Sequence, residues 1–348
     1  MIKNVFLLVT SILFSLIVAE MAFRMIGLQG SYMPPRQDST YAVEGSTATQ
    51  YGFFPNAIIR SYYPDNPRGY FNNQNAIDHQ FNSAGYRDIE HSIFKPASKY
   101  RILGLGDSYL YGQGVKFDDI CLTKLGKILQ KSLLNQVEVI NTGISGYNTG
   151  NERDLLINRG LNYKPDMVIV HFVLNDVEQD LSKSGPKVEF FNDYLSIYQK
   201  CDTLSRYSYL WGWIRQQYLR NIIGKRYIEY CINNYQKDNT RFQRCWNDLL
   251  DIQRVCEEND IKLLVVIFPF FYNLNLNYPF QVIHDQLSKS CIAAKIPILD
   301  LLPYFKSYQG PELWVHPVDQ HPNEIAHYIA AKAISEYLLR NKHKFNLQ

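Results

Sequence analysis

From Tyr100 onward, short apolar runs alternate with amphipathic stretches. Arg101 to Gly106 has the length and bounded character of a buried strand, and the Gly106-Asp107-Ser108 after it reads as the turn handing a strand to a helix. Helical spacing of Ile120, Leu122, Leu125, Ile128 and Leu129 predicts a helix over about 118–134. A second strand is expected at 137–141 and a helix from about 149 to 161. The third strand, Met167 to Val173, is apolar and largely β-branched except for His171, as suits a strand covered on both faces. Later come a helix at 240–258, a fourth strand at 262–269, a helix near 280–293, a fifth strand at 296–301 and a last helix over about 323–340. Strand and helix in alternation argue a parallel sheet with right-handed crossovers.

Two stretches break this rhythm. Residues 31–98 are rich in Tyr, Asn, Pro and Ser, and read as a loop-dominated leader with short strands around 57–63, bordering the α/β region. Residues 178–237 form an insertion directly after the third strand, with Tyr207, Tyr209, Trp211, Trp213, Tyr218, Tyr227 and Tyr230 among helix-like Leu and Ile positions. A lid or substrate groove and ordinary helix packing are both open for it.

At the N-terminus, Val5 to Ala19 is nearly all apolar and is closed by Glu20 and Arg24. The run is long for a signal-peptide core and short for a strict membrane span. Ile17 occupies the outer position before Ala19, so no small-x-small pattern precedes a cut. Residues 1–24 are read as an uncleaved anchor with the rest of the chain outside the cytoplasm, and an exported soluble form with a cleaved signal is the second choice. Lys3 against Arg24 hardly decides orientation.

Composition changes this picture little. A net charge of +3 with no Lys/Arg-rich run gives no argument for nucleic acid. The 26 Tyr and 19 Phe are read mainly as core mass, with a carbohydrate-facing surface as the alternative. Six cysteines lack C-x-x-C spacing, which disfavours metal and redox motifs. In an exported domain, a disulfide such as Cys231–Cys245 stands open against buried free thiols.

Candidate chemistry gathers at strand ends. Ser108 comes after the first strand, on the edge of an open α/β sheet where sites are built. The second strand ends in Asn141-Thr-Gly-Ile-Ser-Gly146, the third in Leu174-Asn175-Asp176, and Trp314 to Asn323 forms a late loop leading into the last helix. Acyl transfer through a serine needs a base, a group to orient it, and donors for the oxyanion. His321 can be the base and Asp319 the orienter, while the backbone N–H groups of Ser108 and Gly146 and the Asn175 amide can be the donors. Asp107 and Asp176 are read as turn residues and His171 as a core histidine. Gly104-Leu-Gly106 begins like a dinucleotide fingerprint, but Tyr109 fills the third glycine's position. His316, Asp319, His321 and His327 fit no zinc spacing.

These blocks, in this order, resemble the SGNH hydrolase superfamily, also called the GDSL esterase/lipase family. Gly-Asp-Ser108 matches its first block, Gly146 its second, Asn175-Asp176 its third, and Asp319 with His321 its last. The likeness spans roughly residues 100–339, and Asn82-Ser-Ala-Gly-Tyr-Arg-Asp88 is similar to the leader of some bacterial members. It implies a flavodoxin-like three-layer α/β/α domain over 99–342, no cofactor, and hydrolysis or transfer of an ester-linked acyl group. Val173 stands where the family has a glycine, and Asp319 precedes His321 by two residues where the usual spacing is three. With Asp319 turned away, a backbone carbonyl would orient His321 and the site would be a dyad. The expectation is a serine esterase acting on a small-molecule, glycan or lipid ester, for instance an O-acetyl group on a cell-envelope glycan. An acyltransferase to a sugar hydroxyl and an inactive glycan-binding module are the alternatives.

Overall fold

The computed structural model describes residues 2–26, 36–38, 52–133, 136–178, 204, 207–275 and 277–347. These belong to two compact units, one formed by 1–33 with 181–230 and the other by 34–180 with 231–348.

The larger unit is built on five parallel strands: β4 (Lys99–Gly106), β5 (Gln136–Asn141), β6 (Met167–Val173), β7 (Lys262–Phe268) and β8 (Ile298–Asp300). Their spatial order is β5-β4-β6-β7-β8. Every residue of β6 is buried, as its unbroken apolar run requires. On the flanks, α3 (Cys121–Ser132) packs against α8 (Glu324–Arg340), and α4 (Thr149–Asn158) against α6 (Thr240–Glu258). With α7 (Gln281–Ala293) they complete the flavodoxin-like layering. Because β5 and β6 lie on opposite sides of β4, the order in which strands are added reverses there, and a crevice is expected beyond the carboxyl ends of β4 and β6.

The leader is more ordered than its composition suggests. Strands β1 (Arg36–Asp38), β2 (Ile58–Tyr62) and β3 (Ala76–Gln80) form a separate antiparallel sheet. Asn82 nucleates the next turn, its side-chain oxygen accepting from the N–H groups of Ala84 and Tyr86 at 3.0 and 2.9 Å. Arg87, fully buried, then donates to the carbonyls of Tyr111 (3.2 Å), Gly112 and Val115. Asp88 accepts from the Asn141 N–H at 2.6 Å, at the end of β5.

The late loop also departs from expectation. It contains a two-stranded antiparallel ribbon, β9 (Trp314–His316) and β10 (Asp319–Pro322), with an irregular register. The described cysteines (121, 231, 245, 256 and 291) are buried, and no disulfide joins any two of them. The Cys231–Cys245 pairing is therefore not formed, and the Cys245 thiol instead lies 3.2 Å from the Thr149 hydroxyl.

In the smaller unit, α1 (Ile2–Ile26) is long and apolar enough over Lys3–Ile26 to cross a membrane, with a mean hydropathy of 2.3 and none of that stretch buried. The described part of the insertion begins α5 (Tyr209–Asn234), whose first turn is capped by Glu20 of α1. The carboxylate accepts from the Ser208 hydroxyl (2.8 Å) and the N–H groups of Tyr209 and Leu210 (3.0 Å each). Arg24 pairs with Glu20 at 2.7 Å and donates to the Tyr207 carbonyl, and Phe23 meets Trp213 edge-on at 5.3 Å. Residues 179–203 of the insertion lie outside the described residues.

Candidate active site

Ser108 opens α2 (Ser108–Tyr111), the short helix that leaves the end of β4. Asp107 caps this turn by accepting from the Tyr109 N–H at 2.8 Å. Across the crevice, His321 Nε2 stands 3.0 Å from Ser108 Oγ, and His321 Nδ1 stands 2.5 Å from Asp319 Oδ1. A carboxylate at Nδ1 keeps the ring proton there, which leaves the Nε2 lone pair facing the serine hydroxyl.

The short Asp-x-His spacing is a product of the ribbon. On a strand, residues two apart point to the same face, so Asp319 and His321 project together while Gln320 is exposed. Asp319 Oδ1 also accepts the His321 backbone N–H at 3.2 Å. The turned-away alternative, with a backbone carbonyl in Asp319's place, is thus not what the fold adopts.

Asn175 comes just after β6 and donates its amide to Asp107 Oδ2 at 3.0 Å, leaving its second N–H free to point elsewhere. Gly146 lies on the turn after β5 with a φ of +85°, and that turn is joined to the end of β4 by the Ile144 N–H donating to the Gly106 carbonyl at 3.1 Å. Ser108, His321, Asp319 and Asn175 are therefore linked by hydrogen bonds, directly or through Asp107, and Gly146 lies on a turn fastened to the end of β4.

Burial works to lower the imidazole pKa of His321, but the Asp319 charge and hydrogen bond outweigh it, with Asp107 adding, so it rises above its ordinary value. Burial would push Asp319 up, yet its bonds to His321 and to the Tyr63 hydroxyl hold it below the usual carboxylate range. Behind the serine, burial raises the Asp107 carboxyl. Burial, with Asp107 repelling Glu152 and both of these repelling Asp176, raises the Glu152 and Asp176 carboxyls well above their ordinary values, the Glu152 oxygens having no hydrogen-bond partner among the described residues. Asp176 nonetheless serves its turn, accepting from the Val173 N–H at 2.8 Å.

The other histidines singled out in the sequence lie away from the serine. His171 is buried in β6 and held neutral by burial, its pKa pushed down to about 3. His316 pairs with Asp65 at 2.5 Å, and His327 accepts from the Cys121 N–H at 3.2 Å. No group of three or more His, Cys, Asp or Glu among the described residues is arranged to hold a metal. Two contributors escaped the sequence reading. Asp107 orients the Asn175 amide as well as capping its turn, and Tyr63 of the leader donates to Asp319 Oδ2 at 2.9 Å.

The profile of the GDSL-like Lipase/Acylhydrolase family matches residues 105–329, well over half of the chain. Among solved structures, the lipase/acylhydrolase from Enterococcus faecalis is 15% identical, with 72% of this chain and 97% of that one covered and a TM-score of 0.42. A psychrotrophic esterase from Pseudoalteromonas sp. is 13% identical, with coverages of 69% and 97% and a TM-score of 0.41. An acetyl xylan esterase is 16% identical, with coverages of 68% and 99% and a TM-score of 0.43. No match is found among curated proteins.

Proposed function

The chain belongs to the GDSL-like lipase/acylhydrolase family and is a serine hydrolase of the esterase class, and on that premise we propose that it hydrolyses a short-chain ester, of acetyl size, through an acyl-Ser108 intermediate. Ser108 Oγ attacks the carbonyl carbon while its proton passes to His321 Nε2. As the tetrahedral intermediate collapses, that proton goes to the leaving alkoxide and the ester C–O bond breaks. Water then adds to the acyl group, giving its proton to Nε2, and release of the acid restores the serine. Asp319 holds the imidazole and stabilises its charged form. The N–H groups of Ser108 and Gly146 and the free amide hydrogen of Asn175 receive the oxyanion, each such donor being worth about 3 kcal/mol in the barrier.

The observation that carries this reading is the continuous run from Ser108 Oγ through His321 to Asp319, at 3.0 and 2.5 Å. The preference for a small acyl group rests on the wall beside the imidazole. Tyr109 meets His321 edge-on at 5.7 Å and packs on Phe268 and Phe271, all three buried, so that side presents a packed aromatic surface. The apolar N-terminal helix supports a tethered enzyme; the reading places its hydrolase unit outside the cytoplasm, where an acylated envelope glycan would be within reach. The test is turnover of p-nitrophenyl acetate, butyrate and octanoate by the full chain in detergent. Acetate is expected to be the best substrate, and Ser108→Ala to remove about 10⁴-fold of the rate. Undiminished turnover in Ser108→Ala sinks the mechanism, and a preference for octanoate sinks the acyl-size assignment.

A further inference from the structure

Asp319 uses both of its oxygens. Oδ1 serves the ring and backbone of His321, and Oδ2 accepts the Tyr63 hydroxyl at 2.9 Å. Tyr63 lies just beyond β2, in the leader and outside the region matched by the family profile. Its side chain is buried and closely fixed. The ring stacks on Phe71, with centroids 4.2 Å apart and planes 3° from parallel, within a cluster containing Ile77, Val115, Ile120 and Val315. The hydroxyl fits against Gly114, where a Cβ would come within 2.5 Å of it. Around this contact the leader grips the strand next to Asp319, with Asp65 on His316 and Arg68 donating to the Trp314 carbonyl at 3.1 Å.

We propose that Tyr63 is a positioning residue of the hydrolase, acting through Asp319 to hold its carboxylate in the plane that meets His321. This rests on the Ser108–His321–Asp319 reading above. A short ribbon with an irregular register gives Asp319 little support of its own, and a carboxylate fixed at one oxygen alone can still swing about its last torsion. The second bond removes that freedom. Burial and the neighbouring Asp319 charge push the Tyr63 phenol upward, so it remains a donor throughout the working pH range.

The experiment is a double-mutant cycle on p-nitrophenyl acetate hydrolysis. Tyr63→Phe keeps the ring and removes the donor, and kcat is expected to fall about tenfold with KM unchanged. In an Asp319→Ala background the same change should alter kcat less than about twofold. An equal fall in both backgrounds, or none in the first, overturns the proposal. Should Tyr63→Phe fold poorly, 3-fluorotyrosine at position 63 keeps the packing and strengthens the donor. By further neutralising Asp319 it should move the acid limb of kcat/KM to lower pH, the Asp107 contribution being unchanged. A limb coincident with that of the unmodified enzyme overturns the proposal as well. Full activity in Ser108→Ala would instead indict the catalytic reading itself, so the two failures are distinguishable.

Discussion

The leader and the insertion are alike in composition, both interrupting an α/β pattern with tyrosine-rich sequence, yet they make opposite kinds of contact. The leader packs into the unit that carries Ser108. Arg87 holds three carbonyls just after α2, Asp88 holds the end of β5, and Tyr63 reaches Asp319. The start of the insertion's helix α5 bonds instead with α1, through the Glu20 cap and the Phe23–Trp213 contact. Aromatic content alone does not distinguish these roles. What separates them is where the polar ends of the side chains find partners, because a buried donor or acceptor left unpaired costs more than an aromatic ring gains by choosing one apolar surface over another.

The contrast can be tested by variants on each side. The largest effect belongs where the leader reaches the reacting groups: Asp319→Asn should lower kcat by about 10³–10⁴-fold, since the amide would favour the wrong imidazole tautomer. A loss under tenfold would mean that the ribbon and its Tyr63 contact matter little to the chemistry. Next, Arg87→Leu leaves three carbonyls without their donor and should cost on the order of 3 kcal/mol, read as a lower urea midpoint at unchanged m-value. A midpoint equal to that of the parent would reduce the leader to a passive covering.

A subtler effect concerns pH. The base must be neutral to act, and His321 has a raised pKa, so kcat/KM should climb with pH through a midpoint above the ordinary imidazole value of 6.5. A midpoint below that value would deny the coupling to Asp319. The smallest effect is expected on the other side of the comparison. Glu20→Ala removes a helix cap worth about 1 kcal/mol. It should leave kcat for a soluble ester within about twofold of the parent, as for a variant whose interaction energy with the catalytic set is near zero. A large fall in kcat would show that the insertion serves catalysis directly.

Much of this architecture was legible beforehand because buried strands and amphipathic helices announce themselves by period. β6 begins and ends as the apolar run does, and the last helix starts one residue after its Asn323 cap. Ser108, Asn175 and His321 could be placed because each sits at a strand end or in a loop beside a turn signal. The ribbon was not legible: three- and four-residue strands containing His, Asp and Pro carry no recognisable alternation. Nor was Tyr63, whose partner lies 256 residues away, or the Glu20 cap, whose helix begins 189 residues later. Such contacts depend on tertiary placement, and no local pattern encodes them. Cys231 and Cys245 belong to the same class, since spacing permits a bond between them that the fold does not make.

The sealed acids behind the serine set an alkaline ceiling on this enzyme. Glu152 and Asp176 have folded-state pKa values well above their ordinary 4.5 and 3.8, so the stability they contribute is complete below those ordinary values and drains away as pH rises through the folded ones. Turnover climbs in the same direction, because the base is freed of its proton. Melting temperature and rate should therefore run on opposite slopes as pH rises above those ordinary values, and Glu152→Gln with Asp176→Asn should flatten the first without tilting the second.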